Sequence, residues 1–213
     1  MKLKLPKRAR RKFAPQPKIL LDGTIPRPLH GVNPRSIKGK AWWDRQRKRA
    51  YEHNNYHCHA CGVHKRDARI FSWLEAHEIY EVNYEKCTMK FKGVVALCHA
   101  CHSIVHAGRT TQLYLNGQID HRRLKLFVTH GEGIFKHYNI TPPVAFRFMQ
   151  LIESGMSTTG AADVVDKEYT TNPLDMRSWN RWKLYFNNKA YPPKYKSHRE
   201  WSDHYSNWQE GDN

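Results

Sequence analysis

Four of the five cysteines fall into two Cys-x-x-Cys pairs, with 36 residues between the pairs. A Cys-x-x-Cys turn points two thiols the same way, and two such turns supply the tetrahedral ligand set of a structural zinc ion. Because four thiolates leave no open coordination position, the site is predicted to be structural and not catalytic. Its ligands are Cys58, Cys61, Cys98 and Cys101. The fifth cysteine, Cys87, is predicted to be an ordinary buried thiol.

The residues between the two pairs are patterned as two strands followed by a short helix. Alternating bulky and β-forming residues predict strands over 70–80 and 91–97. The helix is predicted from His99 to about Ala107, where Gly108 ends it. The predicted fold class is therefore α+β, with a small ββα core stapled by the four-cysteine site.

Histidines and carboxylates in this core lie at spacings that suit a second metal site. On the first strand Glu75 and His77 share one face, whereas Glu78 lies on the other. His102 and His106 are four residues apart, so both imidazoles project from one face of the predicted helix and can share a metal ion. Imidazole ligands leave open positions for phosphate and water, unlike the cysteine site. The simpler interpretation is that these histidines are ordinary polar side chains around a zinc ribbon.

Positive charge is concentrated at the start of the chain. The formal net charge is +17, and residues 1–50 hold 16 lysines and arginines against two acids, Asp22 and Asp44. Such a field attracts a phosphate backbone, so the predicted partner is nucleic acid, and DNA in particular. A solvating tail, or an arm for ribosomal RNA or anionic lipid, is the alternative interpretation.

Other classes of protein fit the composition poorly. No apolar run approaches the ~20 residues that span a bilayer, and the basic N-terminus lacks the apolar stretch of a secretory signal. Five cysteines would leave one over in an exported disulfide protein. We therefore expect a cytoplasmic protein whose thiols are free to bind metal, with no membrane partner. The sequence predicts no oligomeric state.

The chain is predicted to have three segments. These are a basic, proline-rich arm over 1–40, the zinc-stapled core over 41–110, and a hairpin plus helical region over 111–213. The arm is expected to be extended, as a linker or a strap on the core, with residues 1–12 disordered on their own. The core is expected to begin with a helix from Ala41 to about Asn54, in which Trp42 and Trp43 are core anchors and not base-stacking platforms.

The third segment is predicted to begin with a β-hairpin over 110–119, because Asn116-Gly117 lies between strand-like runs. A helix over 121–130 is expected to stop at Gly131 and Gly133. Further helices are predicted over 142–154, 157–167, 175–187 and 197–213. Trp179, Trp182 and Phe186 share one face of the helix over 175–187, which indicates a core stripe. The two helices around Gly155 either complete a small core or form a helix-turn-helix reader of the major groove.

Three motifs together resemble the HNH endonucleases, of the ββα-metal class. They are C-H-A-C at 58–61, L-E-A-H-E-I at 74–79 and L-C-H-A-C-H-S-I-V-H at 97–106. The chain is most similar to the zinc-stapled branch common in phages and prophages, and N-P-R-S-I-K-G-K-A-W-W at 33–43 resembles the lead-in of some phage members. The resemblance covers roughly residues 30–108. It implies a metal-dependent hydrolase that cleaves DNA phosphodiester bonds, with structural Zn²⁺ and a catalytic Mg²⁺, Mn²⁺ or Ni²⁺.

The resemblance also implies roles for single residues. His102 and His106 match the family's ligands to the catalytic metal, and in the His77-Glu78-Ile79 doublet His77 matches a metal ligand and Glu78 the general base. The family's usual base is histidine, whose ordinary pKa of about 6.5 suits proton transfer at neutral pH better than that of glutamate. In the alternative, His77 activates water and Glu75 or Glu78 helps to hold the metal.

A second departure concerns the asparagine that gives the family its name. It is expected about five residues before Cys98, where this chain has Gly93. Two rival functions follow from the departures and from the charge. One is a zinc-ribbon protein that binds nucleic acid without cleaving it, and the other is a nuclease that acts on RNA.

Overall fold

The computed structural model describes residues 13–22, 25–68, 70–168 and 179–206. Within these ranges the chain forms seven helices and one four-stranded sheet, so the α+β class is confirmed. The helices are α1 (Pro34–His53), α2 (His99–Val105), α3 (Ala107–Leu115), α4 (His121–His137), α5 (Val144–Glu153), α6 (Thr158–Glu168) and α7 (His198–Ser206). The strands are β1 (Leu74–Asn83), β2 (Thr88–Cys98), β3 (Lys183–Phe186) and β4 (Lys189–Tyr191).

The two predicted strands are present and form a hairpin, with β1 shifted toward the turn and β2 longer than expected. β1 and β2 pair antiparallel from Leu74 opposite Cys98 to the turn, with a bulge where Ile79 faces Gly93. The bulge leaves Lys92 unpaired in β2, because the next partner of β1 is Phe91. β2 runs directly into α2, which gives the predicted order of strand, strand and helix.

Two strands from the C-terminal part of the chain complete the sheet. β3 pairs in parallel with the start of β2, and β4 pairs antiparallel with β3, so the strand order is β1-β2-β3-β4. Thr88, Met89 and Lys90 of β2 lie opposite residues of β3. The sheet therefore joins segments that are nearly a hundred residues apart in sequence.

The described residues before α1, 13–22 and 25–33, pack on the rest of the domain, and we call them the strap. Two 3-10 turns, Pro17–Leu21 and Arg27–Leu29, bury Leu20 and Leu29 almost completely. A first helical turn then begins at Pro34, but Gly39 (φ 76°, ψ 177°) interrupts the helical geometry, so the continuous part of helix α1 begins close to the predicted start at Ala41. Asn33 accepts a hydrogen bond from the backbone of Ser36 in a capping box, and proline is favoured at the first helical position.

The described residues contain two apolar cores. The larger core packs the cysteine turns and α2 against α4, α5 and α6, with Ile104, Phe127 and Phe146 at its centre. The smaller core takes side chains from the strap, the hairpin and the C-terminal strands: Leu29, Cys87, Met89, Trp182, Leu184 and Phe186. Cys87 is buried there, as predicted, and Trp42 packs on Phe91 and Phe186.

The predicted hairpin over 110–119 is wrong, because these residues lie mostly in helix α3. Asn116 and Gly117 follow the end of that helix, and Gly117 has a φ of 72° in the turn that ends it. A positive φ serves a helix C-terminus as well as a hairpin loop, so the same dipeptide fits both structures. Gly108, the predicted end of α2, lies inside α3 because α2 already ends at Val105.

Two further predictions in the third segment are corrected. Helix α4 does not stop at Gly131 but continues to His137, because packing against α5 outweighs the low helix propensity of glycine. The aromatic stripe of 175–187 does not lie on a helix. Trp182, Leu184 and Phe186 are buried at every second position, with β3 beginning at Lys183.

Three predictions concern parts of the chain outside the described residues. These are the basic arm over 1–12, the first part of the predicted helix over 175–187, and the end of the helix predicted over 197–213. In the described part of the chain, no helix combines the length and apolarity needed to cross a membrane. The division into three segments stays a prediction.

Candidate metal centre

The sequence brings its four paired cysteines to one place, which we call the cysteine cluster (Cys58, Cys61, Cys98 and Cys101). The first pair lies in a tight turn, in which the backbone N–H of Gly62 donates to the carbonyl of Cys58 at 2.9 Å and Gly62 has a φ of 76°. That turn is anchored to the hairpin, because the N–H of His59 donates to the carbonyl of Ala96 at 2.7 Å. The second pair spans the junction of β2 and α2.

The cysteine cluster fits a tetrahedral zinc ion. All four Sγ atoms lie within 4.8 Å of one another, and Cys61 Sγ is 3.8 Å from Cys98 Sγ. A zinc ion about 2.3 Å from each sulfur of a tetrahedron requires sulfur atoms ~3.8 Å apart. Three of the four cysteines are buried, and none forms a disulfide. These residues could therefore hold a zinc ion that links the first turn to α2.

The thiols also perturb one another. Burial opposes ionisation of Cys58, but hydrogen bonds from the other three thiols outweigh it and lower the pKa of Cys58 well below its ordinary value. Burial and the contact with Cys58 raise the pKa of Cys101. His130 of α4 lies against the cluster, with Nε2 3.3 Å from Cys101 Sγ. A bound cation would remove the obstacle to ionising all four thiols together.

A second group of possible ligands, which we call the histidine cluster, consists of His77, His102 and His106. One potential ligand nitrogen from each ring lies within 4.8 Å of the others. His77 comes from β1, whereas the other two come from α2 and the residue that follows it. The ring centroids of His102 and His106 are 4.7 Å apart, as their four-residue separation predicts. An ion bound about 2.1 Å from each nitrogen needs nitrogens ~3.4 Å apart, which this arrangement permits.

Burial favours the neutral form of two members of the histidine cluster, His77 and His106. Burial and repulsion from His106 and His102 lower the pKa of His77 to about 3. Burial and repulsion from His102 and Arg109 lower the pKa of His106 to about 4. A metal binds the lone pair of a neutral imidazole, so His77 and His106 have the protonation state that an ion requires.

Glu75 is not a member of the histidine cluster but is hydrogen-bonded to it. Its Oε2 accepts a short hydrogen bond from Nδ1 of His102, and its Oε1 is 2.7 Å from Nδ1 of His99. Burial would raise the pKa of Glu75, but the hydrogen bonds from His102 and His99 outweigh it and hold that pKa well below its ordinary value. An ionised carboxylate can only accept, so Nδ1 of His102 carries the proton and Nε2 is left to bind an ion.

Glu78 follows His77 on β1 and is largely buried. The hydroxyl of Tyr80 donates to Glu78 Oε2 at 2.9 Å, whereas Oε1 is buried and accepts no hydrogen bond within the described residues. Burial raises the pKa of Glu78, against the opposing effect of Tyr80 and of the backbone N–H and charge of Arg35 at the start of α1. Glu78 is thus a carboxyl group with one oxygen held in place and the other without a partner.

The histidine cluster and Glu78 line one cleft of about 510 Å³, which we call the histidine cleft. Sequence reasoning missed several residues that the strap and α1 bring to this cleft, among them Asp22 and Arg35. Burial raises the pKa of Asp22 to about 6, and its Oδ2 is buried without a hydrogen-bond partner among the described residues. Proline-rich segments give no periodic signal, and charge counting placed Asp22 only in a basic arm.

The structure thus brings together the four cysteines predicted for one site and the three histidines predicted for the other, whereas Glu75, the alternative ligand, contacts His99 and His102 instead. The cysteine cluster is closed and buried, whereas the histidine cluster opens into a cleft that also contains carboxylates and arginines. Gly93, which replaces the expected asparagine, lies opposite Ile79 at the bulge, and a side chain there would meet open space. No protein-family model matches the chain, and neither a curated protein nor a solved structure matches it significantly.

Proposed function

We propose that the protein is a metal-dependent endonuclease of the HNH type, which hydrolyses phosphodiester bonds in DNA. The observation that carries the proposal is the histidine cluster, in which three imidazoles from β1, from α2 and from the residue after α2 converge in an open cleft beside a closed four-thiol site. A closed site can stabilise the fold, whereas a metal that catalyses hydrolysis needs open coordination positions for substrate and water.

The histidines are proposed as the ligands of a catalytic divalent metal, such as Mg²⁺, Mn²⁺ or Ni²⁺. When bound, the ion supplies Lewis-acid stabilisation of the charge that develops on the phosphate and on the leaving 3′ oxygen. His77, His102 and His106 occupy three coordination positions and leave the others to substrate and water. Glu75 orients His102 through the hydrogen bond to Nδ1.

Glu78 is proposed as the general base. Among the described residues none competes for a hydrogen bond to its Oε1, and burial raises its pKa above that of an ordinary glutamate, which makes it a better proton acceptor. Tyr80 fixes the other oxygen and so aims the carboxylate. The alternative, with His77 as base and Glu75 as ligand, is less well supported because both oxygens of Glu75 already accept hydrogen bonds.

DNA is the proposed substrate because the molecule is strongly basic and the cleft carries cations. The formal net charge is +17, and Arg35 and Arg109 line the histidine cleft beside the proposed ligands. Arginine binds phosphate in a fork geometry that also positions it. Contacts of this kind hold a backbone without reading bases, so we expect little sequence specificity.

The test is cleavage of supercoiled plasmid by purified protein with Mg²⁺, Mn²⁺ or Ni²⁺, followed on gels. His77→Ala should abolish cleavage, and Glu78→Gln should reduce the rate by about 10²–10⁴-fold. Glu81→Gln is the matched control, because Glu81 lies exposed on the same strand in an ion pair with Lys92. Cleavage that survives Glu78→Gln but not His77→Ala would assign the base to His77.

The rival function is a zinc-ribbon protein that binds nucleic acid without cutting it. It is favoured by Gly93, which offers no side chain where the family has its asparagine. If the wild-type protein binds duplex DNA and no metal yields cleavage, this rival is correct. A parallel reaction with a structured RNA decides between the two nuclease substrates.

A further inference from the structure

A second cleft, of about 720 Å³, lies between α1 and the C-terminal residues 194–205. We call it the α1 groove. It shares Asn33, Arg35 and Trp43 with the histidine cleft, so the two are neighbours along the start of α1. A ligand that enters the histidine cleft can therefore continue into the α1 groove.

The α1 groove is basic. Four cationic side chains line it, with one acid, Asp44, which is already paired with Lys40 at 2.7 Å and Arg47 at 2.8 Å. Its remaining cations are Arg35 and Lys194, both exposed. A linear polyanion is the ligand that such a lining complements.

Aromatic side chains are interleaved with these cations. Tyr195, Tyr205 and Trp43 line the α1 groove, with Trp43 at its junction with the histidine cleft. Trp42 packs into the smaller core, whereas no aromatic ring stacks on half-buried Trp43 in the described part of the chain. An indole face beside phosphate-binding cations is the combination with which proteins bind single strands.

We propose that the α1 groove binds a single DNA strand that continues from the scissile phosphate, with a base stacked on Trp43 and phosphates against Arg35 and Lys194. The proposal rests on the proposed nuclease function, because it takes the scissile phosphate to lie at the histidine cluster. A cleft of this volume is in the range that encloses a drug-sized ligand, so a short stretch of one strand fits within it, and stacking on Trp43 requires a base that is not paired inside a duplex. It gives Trp43 a different role from the core anchor that the sequence predicts, whereas Trp42 packs in the smaller core as predicted.

The test measures binding and not cleavage, so that its failure is distinct from failure of the nuclease proposal. Full-length protein with Glu78→Gln is titrated into fluorescein-labelled single-stranded DNA and into a blunt duplex, and anisotropy gives the two dissociation constants. Adding Trp43→Ala should weaken single-strand binding about 5- to 100-fold, and adding Lys194→Glu should weaken it and flatten its salt dependence. Blunt-duplex binding should change by less than about twofold with Trp43→Ala.

Matched controls are Tyr138→Ala and Lys136→Glu, which remove an exposed aromatic residue and an exposed lysine from the end of α4. Both should bind the single strand as the parent does. Trp43→Phe, which keeps an aromatic face, should retain most of the affinity, and the exposed Lys194→Glu keeps the test valid if Trp43→Ala fails to fold. The proposal is overturned if Lys194→Glu binds the single strand as the parent does while Trp43→Ala is equally defective on the blunt duplex. It is also overturned if neither Trp43→Ala nor Lys194→Glu weakens single-strand binding.

Discussion

The carboxylate of Glu75 on β1 accepts a hydrogen bond from Nδ1 of His102 on α2, so a strand residue sets the tautomer of a helix residue. The same carboxylate is held from its other side by His99 at 2.7 Å. Because Nδ1 faces this carboxylate, Nε2 is the nitrogen of His102 that is left to bind an ion. The bond also ties the strand of the hairpin to α2, where the histidine cluster is assembled.

Replacing this carboxylate should weaken metal binding without unfolding the protein. Glu75→Gln retains the size of the side chain but loses the charge, and loss of such a supporting partner typically costs 10–100-fold in metal affinity. We expect a weakening of this order for Mn²⁺, measured by isothermal titration calorimetry. Glu81→Gln, on the same strand, should bind as wild type does, and equal affinity in the two variants would contradict the role given to Glu75.

The cysteine cluster should hold one zinc ion per chain and should stabilise the fold. Cys101→Ser removes a fully buried ligand, so zinc content should fall well below one and stability should drop by at least about 4 kcal/mol. Cys87→Ser is the control, because Cys87 is as deeply buried but belongs to the smaller core. It should keep its zinc in elemental analysis. Native zinc content near zero would refute the assignment.

Replacing two glycines of α4 by alanine, one at a time, should change the stability of the protein in opposite directions. A Cβ on Gly131 would lie 2.5 Å from the ring of Phe146, so Gly131→Ala should destabilise by about 1–3 kcal/mol through overpacking. A Cβ on Gly133 would meet nothing within 4 Å, so Gly133→Ala should stabilise by about 0.5–1 kcal/mol through helix propensity. Thermal melting of the two variants compares them directly. A shift of the same sign in both would show that α4 and α5 are packed differently.

Stability should depend on pH through Asp22. Burial raises its pKa to about 6 in the folded protein, against 3.8 for the ordinary group. Between these two values the folded state binds the proton more tightly than the unfolded state does. The contribution of Asp22 to the free energy of unfolding therefore falls as the pH rises from about 4 to about 6, and it stays low above that range. Asp22→Asn cannot ionise and should be more stable than wild type at pH 7–8 by about 1 kcal/mol, after allowance for partial exposure.

The control for Asp22→Asn is Asp44→Asn, because the pKa of Asp44 is lowered whereas that of Asp22 is raised. Hydrogen bonds from Lys40 and Arg47 lower the pKa of Asp44 to about 2, so its ionised form is favoured throughout the range above pH 4. The difference in melting temperature between Asp44→Asn and wild type should therefore be constant from pH 5 to 8. For Asp22→Asn the difference should shrink toward zero as the pH approaches 4. A difference that does not vary with pH would show that Asp22 is solvated.

The metal-binding residues were predictable because their geometry is local. The four-residue separation of His102 and His106 becomes adjacency on any helix, and a Cys-x-x-Cys turn brings its two thiols together wherever it lies. The alternation of β1 likewise separates His77 from Glu78. At these positions the side chains are brought together by residues a few positions apart, and backbone geometry alone predicts such contacts.

The surroundings of the site were not predictable in the same way. Asp22 reaches the histidine cleft through packing of the strap on residues far along the chain, which no local pattern encodes. Gly131 was interpreted as a stop because its close approach to Phe146 depends on α5. Trp182 and Phe186 suit a helical face at one spacing and, with Leu184, a strand at another, so the sheet partner decides between them.

The parallel pairing of β2 with β3 has a consequence for the order in which the protein is made. Synthesis runs from the N-terminus, so the ribosome completes the β1–β2 hairpin long before it reaches Lys183. During that interval Thr88, Met89 and Lys90 form a strand edge that still awaits its neighbour. The nascent chain is therefore open to association with other chains until its C-terminal strands emerge. Lys90 places a positive charge on that temporary edge, where natural proteins commonly use lysine to keep strands of different molecules apart.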